Sequence, residues 1–384
     1  MSFVDSFAKA ILPARMYSRW LKSRDKQAGK KYYEPEDILK WEDLLRDPRM
    51  DPMLRQMILS YQKSPSQDTI SDYWQVLNKK NVAQLLEDGF ENFKQTIALN
   101  YFIWLIGKNH SHIKFLKRNL PPGAVTWAQK CSRKAKMHLF FTPKQSKLYN
   151  FMTFLLWKYA EQQVGRGLMD RLREPLVGNP PAVELEGRWI SQDLANSALE
   201  FDSIWSSIKD SESIKTVLEL GAGYGRTAYA ILSLASGIRY VIVDVPPALY
   251  ISQRYLSQVF PEKRIFYFRD FDDFSRIKEE FYRSQIIFLM PNQLRWLEHK
   301  SVDLAVAIDC LHEMRPSQIE SYFDVFDRLA RNFYFTCAKR TSVPYDGVEL
   351  LEKDYPVRSG WQKVFWRTRR VQTTYFEALF SLGK

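Results

Sequence analysis

Apolar positions change their rhythm near the middle of the chain, and the change divides it into two kinds of structure. Before residue 180 they recur at helical spacing. Between Asp68 and Ile106, the side chains of Ile70, Trp74, Leu77, Val82, Leu85 and Leu86 fall on one stripe, and Gly89 predicts a break. A second helix is expected to bury Phe93, Ile97, Tyr101 and Trp104. Pro121-Pro122-Gly123 interrupts the chain, and another helix is predicted over residues 145–165. After Lys215 short apolar runs alternate with helical stretches, the pattern of parallel βαβ units. Strands are expected at residues 216–220, 239–244, 286–290, 302–308 and 333–338, with helices at 225–236, 247–259, 274–284 and 316–332. Residues 264–268 compete with 286–290 for the third strand position, and 363–367 with 373–379 predict a terminal antiparallel hairpin. The expected architecture is a mainly helical N-terminal domain, residues 1–182, with a substrate-binding or oligomerisation role. A Rossmann-like α/β domain, residues 183–384, follows it, and the Pro-containing stretch 174–182 is the expected linker.

The richest stretch is Val217-Leu218-Glu219-Leu220-Gly221-Ala222-Gly223-Tyr224-Gly225-Arg226. An apolar strand runs into a glycine turn that opens a helix, which lets a ligand approach the backbone closely. Asp244 ends the next strand about 20 residues on, where ribose hydroxyls are held. A dinucleotide fingerprint needs a glycine three positions beyond Gly223, and Arg226 stands there. Glu219 would repel a pyrophosphate but suits the ammonium end of a methionine moiety. Together these features point to S-adenosylmethionine. The expected cofactor contacts are Glu219, Gly221, Ala222, Gly223, Tyr224, Gly225, Asp244 and Val245, with Asn292 and Gln293 after the 286–290 strand and Asp309 after the 302–308 strand. Asp244 could equally cap the following helix, and Asn292-Gln293 could be an ordinary turn.

Composition narrows the class. A hydrophobic share of 45% and an aromatic share of 15% exclude a disordered chain. The longest nearly apolar run, residues 97–107, is far shorter than the ~20 residues that cross a bilayer, and the N-terminus carries no expected signal peptide. Cys131, Cys310 and Cys337 lack metal-type spacing and fit a reducing, cytoplasmic setting, with no disulfide framework and no structural metal. The net charge of +12 is uneven: residues 1–180 hold 30 Lys/Arg against 17 Asp/Glu, the remainder 26 against 27. Ten bases and no acid lie between Lys108 and Lys147. They are either a solvated face or a surface for an anionic partner, such as a phosphorylated glycan, acidic lipid headgroups or nucleic acid.

Several segments resemble the sugar O-methyltransferase family of bacterial glycan gene clusters, within the class I S-adenosylmethionine-dependent methyltransferases. They are Ser71-Asp72-Tyr73-Trp74, Asp88-Gly89-Phe90-Glu91-Asn92-Phe93-Lys94, Ile190-Ser191-Gln192-Asp193-Leu194, the Leu218 to Gly225 loop, Asp244-Val245-Pro246-Pro247-Ala248 and Leu311-His312-Glu313-Met314. The resemblance implies methyl transfer to a sugar hydroxyl in a glycan or activated precursor, and the terminal hairpin is what separates such a sheet from a plain dinucleotide fold.

A hydroxyl acceptor needs help in losing its proton. His312 is the first candidate for general base because its ordinary pKa lies near neutrality. Glu313 or Asp309 could replace it, Asp309 could orient the imidazole, or the oxygens of Asp309 and Glu313 could hold Mg²⁺. These residues could also merely cap a helix or line the cofactor site. Ser191 is a candidate N-cap, after which Gln192, Asn196 and Glu200 repeat every four residues on one helix face. That face could cover the acceptor or meet solvent. Trp361 and Trp366 could stack on a sugar or pack in the core, and His110 and His112 read as surface residues. Two other functions remain open: methylation of nucleic acid, which is not the expected partner because no amino-methylating signature is present, and cofactor binding without catalysis.

Overall fold

The protein is described by a computed structural model over residues 39–64, 70–97, 110–131, 135–136, 141–343 and 346–383. Tyr101, Trp104, Lys108, Arg133 and Lys134 lie outside these residues. The helical half contains α1 (Trp41–Arg46), α2 (Pro52–Lys63), α3 (Asp72–Asp88), α4 (His110–Asn119), α5 (Ala124–Lys130), α6 (Pro143–Val164) and α7 (Arg166–Met169). Helix α3 ends at Gly89, which takes a φ of 76°. Of the expected second helix only the start is described, a 3₁₀ turn over Phe90–Asn92, turns over residues 93–96 and a helical Ile97, with Phe93 and Ile97 buried as their pattern requires. Helix α6 starts two residues earlier than its apolar pattern suggests. Thr142 and Gln145 form a reciprocal capping box, and Pro143 occupies the first turn, where its missing N–H costs nothing.

Three short strands, β1 (Ala135–Lys136), β2 (Ala182–Leu185) and β3 (Arg188–Ile190), form a small antiparallel sheet. Helix α8 (Gln192–Trp205) follows, capped by Ser191, whose hydroxyl accepts the Leu194 N–H at 3.1 Å. The main sheet then begins with β4 (Thr216–Leu220), α9 (Arg226–Leu234), β5 (Arg239–Val243), α10 (Ala248–Val259), β6 (Ile265–Phe266), α11 (Lys278–Arg283), β7 (Ile286–Leu289) and β8 (Val302–Ile308). Helix α12 (Pro316–Leu329), β9 (Ala330–Ala338), the β10 (Arg340–Val343) and β11 (Val348–Leu351) ladder, β12 (Gln362–Thr368) and β13 (Tyr375–Ser381) complete it.

The eight strands lie in the order β12-β13-β9-β8-β4-β5-β7-β6. Both β7 and β6 therefore belong to the sheet: β7 takes the third position beside β5, and β6 lies outside it. Strand β9 starts three residues before its expected position because Ala330 pairs with Val302 as soon as α12 ends. Strand β13 runs antiparallel to both β9 and β12. Parallel strands around a central β4, with one antiparallel strand inserted between β9 and β12, make this a Rossmann-like α/β sheet.

Side chains alternate across the sheet and divide its core in two. Leu218, Val241, Ala305, Phe323 and Phe333 pack on one side. Val217, Tyr240, Ile242 and Val306 face the other, in one continuous cluster with Leu54, Leu155, Trp157 and Ile204. The helical half therefore supplies the sheet's second layer. The stretch 174–182 is built into this body, with the Glu174 N–H donating to the Trp189 carbonyl at 2.7 Å and Ala182 entering β2. No helix among the described residues is long and apolar enough to cross a membrane.

Candidate active site

The C-terminal ends of β4, β5, β7 and β8 converge on the glycine turn. Gly221 donates its N–H to the Val243 carbonyl at 2.9 Å, and the Cys310 thiol donates to the Leu220 carbonyl at 3.3 Å. Gly221, Gly223 and Gly225 all take positive φ, at 67°, 59° and 89°. A β-carbon on Gly221 would come within 2.6 Å of the Cys310 Cβ, so the bend needs glycine for space as well as conformation. Asp244 accepts from the Gly223 N–H at 2.8 Å and the Val245 N–H at 2.7 Å. Its carboxylate thus stands against the bend, and it does not cap α10, whose N-cap position is held by Pro247. Burial pushes its proton affinity up to about 7, against the two backbone donors.

Glu219 is not an open carboxylate at the mouth of the loop. It is buried and accepts from the Tyr240 hydroxyl at 2.8 Å, and burial raises its pKa to about 8 despite that bond and the nearby Arg226 charge. Tyr224 and Ala222 are also buried. The Tyr224 ring turns away from the bend to meet Phe93 at 5.5 Å and Tyr255 at 5.4 Å, and its hydroxyl donates to Asp193 at 3.1 Å. Both residues can offer a ligand only their backbone. Gln293 is committed to its own turn, accepting the Met290 N–H and donating to the Arg269 carbonyl, both at 2.9 Å. Asn292, beside it, keeps a buried Oδ1 with no hydrogen-bond partner among the described residues. Such an atom is costly unless a ligand or water meets it.

Beyond β8, Asp309 has a φ of 56° and lies between Arg369 and Thr336. Arg369 reaches both its oxygens at 2.8 Å, and the Thr336 hydroxyl donates at 2.6 Å. Burial acts to raise its pKa, but the charges of Arg369 and His312 and these hydrogen bonds hold it below the usual carboxylate value. His312 is buried in the 3₁₀ turn Leu311–Glu313, edge-on to Tyr375 at 5.7 Å, with its Nδ1 unpartnered. Burial lowers its pKa, with Asp309 opposing and Arg369 adding to the effect. The imidazole is therefore neutral at pH 7 and able to accept a proton. Glu313 is pushed up to about 8 by burial and then by the Asp309 charge.

The residues that hold this edge in place were largely hidden in the sequence. Arg226, standing where a dinucleotide fold has glycine, is buried, and its guanidinium grips Glu200 at 2.7 and 2.9 Å and Ser197 at 2.7 Å. Arg369, from the β12–β13 turn, joins the same Glu200 to Asp309. The polar face of α8 therefore meets neither solvent nor an open cleft: Asn196 donates to Glu200 at 3.0 Å and Gln192 to the Tyr149 carbonyl at 3.2 Å. His112 is also not a surface residue. It is buried, and burial with the Arg369 charge lowers its pKa to about 4. Trp361 stacks on Phe323 in the core, and Trp366 stacks on Phe376 while donating to Glu352 at 2.6 Å.

Segments far apart in sequence meet around the bend. Lys94 forms a buried ion pair with Glu174 at 2.6 Å, Glu174 accepts the Ser191 hydroxyl at 2.6 Å, and the Ser71 hydroxyl donates to the Glu313 carbonyl at 2.9 Å. Helix α3 thus begins directly on the His312–Glu313 turn.

No family profile and no curated protein matches the chain. Among solved structures, magnesium protoporphyrin IX methyltransferase (ChlM) from Synechocystis PCC 6803 with bound SAH is 14% identical. The match covers 50% of this chain and 85% of that one, with a TM-score of 0.34. N-methyltransferase NodS from Bradyrhizobium japonicum WM9 is also 14% identical, over 48% and 97%, at 0.33. The PH0226 protein from Pyrococcus horikoshii OT3 is 13% identical, over 47% and 91%, at 0.32. The matched share in each case is about half of this chain.

Proposed function

We propose that this chain is an S-adenosylmethionine-dependent O-methyltransferase whose acceptor is a sugar hydroxyl. The observation that carries the cofactor is the pairing of Asp244 with the Gly223 N–H at the meeting point of β4 and β5. The residues present fit the group: the positive-φ backbone at Gly223 for the methionine portion, Asp244 for ribose hydroxyls, and the Asn292 Oδ1, without a hydrogen-bond partner among the described residues, for a donor on the adenine side. Such a cofactor supplies an electrophilic methyl group on a sulfonium. Glu219 stands close enough behind the bend to compensate positive charge once it ionises.

The chain's own part is to dock a hydroxyl beside this cradle and take its proton. The neutral His312, within the field of the Asp309 charge and edge-on to Tyr375, is the proposed base, with Glu313 next to it completing the acceptor edge. The choice of a sugar rests on the resemblance of residues 71–74, 88–94 and 190–194 to sugar O-methyltransferases, segments that pack around this one bend. Gln192, Asn196 and Glu200 act in this reading from behind, by fixing Arg226 and Arg369. Labelled cofactor with nucleotide sugars, lipid-linked glycans and RNA tests the acceptor directly. Label passing to RNA and to no glycan would reject the sugar assignment.

Two further outcomes are expected. Gly223→Val places a β-branched residue at φ 59° and fills the approach to the backbone, so cofactor binding should fall below detection by calorimetry while the far-ultraviolet dichroism persists. Unchanged affinity would remove the bend as the cradle. Cofactor affinity should also rise with pH. Glu219 at about 8 and Asp244 at about 7 hold protons in the free protein, whereas a cation and hydroxyl donors favour the ionised forms. Binding therefore releases protons between roughly pH 6 and 9 and becomes pH-independent above that range. Calorimetry in two buffers of different ionisation enthalpy measures this release, and proton uptake would contradict it.

A further inference from the structure

The basic run between Lys108 and Lys147 is left unused by the methyl-transfer site. Its described part folds into α4, α5 and the first turns of α6. On α4, Lys114, Lys117 and Arg118 are exposed and stand at positions i, i+3 and i+4, which places all three on one helix face. The opposite side of the same helix buries His112 and Leu116 and brings the Phe115 ring edge-on to Tyr159 of α6 at 5.4 Å. Lys130 at the end of α5 and Lys144 and Lys147 at the start of α6 are also exposed. None of these six bases forms an ion pair among the described residues, and the sequence holds no acid between Glu91 and Glu161. A solvated face of ordinary composition mixes both signs. This one does not.

We propose that this face docks the protein on the surface of an anionic phospholipid bilayer. The character of the charge favours lipid over nucleic acid. Five of the six exposed bases are lysines, which act as point charges suited to a diffuse headgroup layer. Single-stranded nucleic acid needs exposed aromatic platforms, and these helices present none among the described residues. Trp127 is half-buried against Phe154 at 6.1 Å with Lys158 over its ring at 5.5 Å. The exposed apolar residue here is Val125, 39% accessible, which suits shallow contact with the acyl boundary. The face also lies near the chemistry: α4 carries His112, which feels the charge of Arg369, the residue that holds Asp309. An acceptor presented at a bilayer surface would therefore meet the catalytic edge from the docked side. This last step rests on the proposed function; the docking itself does not.

The test uses the full chain with vesicles of phosphatidylcholine alone, or with about 30 mol% phosphatidylglycerol, in a sedimentation assay at low salt. Binding to the anionic vesicles alone is expected, with release at roughly 0.5 M salt. The triple substitution Lys114→Gln, Lys117→Gln and Arg118→Gln should weaken it about 100-fold, from about fivefold per base. Its thermal midpoint and cofactor affinity should match the parent, because the three side chains have no ion-pair partner among the described residues. Equal binding to both vesicle types, no binding to either, an unaffected triple variant, or stronger binding to single-stranded RNA than to anionic vesicles would each overturn the proposal. Cofactor binding and methyl transfer are read separately, so failure of docking leaves the enzymatic reading intact, and the reverse holds too.

Discussion

His312→Ala is expected to bind S-adenosylmethionine with unchanged affinity and to turn over roughly 10²–10⁴-fold more slowly, the usual contribution of a positioned base. Affinity should survive because the proposed cradle, Gly223, Asp244 and Asn292, lies on other strand ends. Turnover should suffer because His312 is the buried imidazole of this edge, and burial keeps it neutral. The parent enzyme's rate should hold up below pH 6.5, since the group loses its basic form only below the ordinary histidine value. Retention of full turnover in the alanine variant would transfer the role to Glu313 or Asp309. His312→Gln serves as a size-matched control, and a loss confined to alanine would mean that the residue fills space and nothing more.

Arg369→Met should be the most destabilising single change at this edge. The guanidinium is buried and bridges Glu200 and Asp309, and removing one partner of a buried charge cluster costs about 3–5 kcal/mol. The denaturant midpoint measures this, and a shift of less than about 1 kcal/mol, the worth of an exposed pair, would show that the bridge is loose. A second readout separates positioning from mere stability. Arg369 depresses the proton affinity of His312, so the surviving activity of Arg369→Met should have its acid limb displaced to higher pH. Arg369→Lys keeps the charge without the fork and should restore the pH profile better than the stability.

How legible the site was depended on whether its residues announce themselves locally. The strand 216–220, the glycine bend and Asp244 follow from local pattern, because a parallel strand buried on both faces is written as an apolar run and a tight turn as glycine. Lys94, Arg226 and Arg369 did not. Each is a charged residue that propensity assigns to solvent, and each is buried only because an acid from a distant segment meets it: Glu174 for Lys94, Glu200 for Arg226 and Arg369. The polar stripe of α8 was visible in the sequence, but its partners lie 26 and 169 residues away in Arg226 and Arg369. Gln293 shows the reverse case: a polar residue after a strand suggests a ligand contact, and its amide also closes the local turn, a role the sequence does not announce. His112 was misread for a simpler reason: a lone histidine in a lysine-rich stretch gives no sign of which way it faces.

The strap from Lys94 through Glu174 to Ser191 has a practical consequence for anyone wishing to treat the sheet as a portable module. Cutting the chain near residue 182 would strip the apolar cover from α8 and leave Ser191 without the Glu174 carboxylate and Tyr255 without the Lys94 ammonium. Transplanting the cradle into another scaffold would thus require carrying the early helices along, or redesigning an entire wall of the interior to stand in wet surroundings.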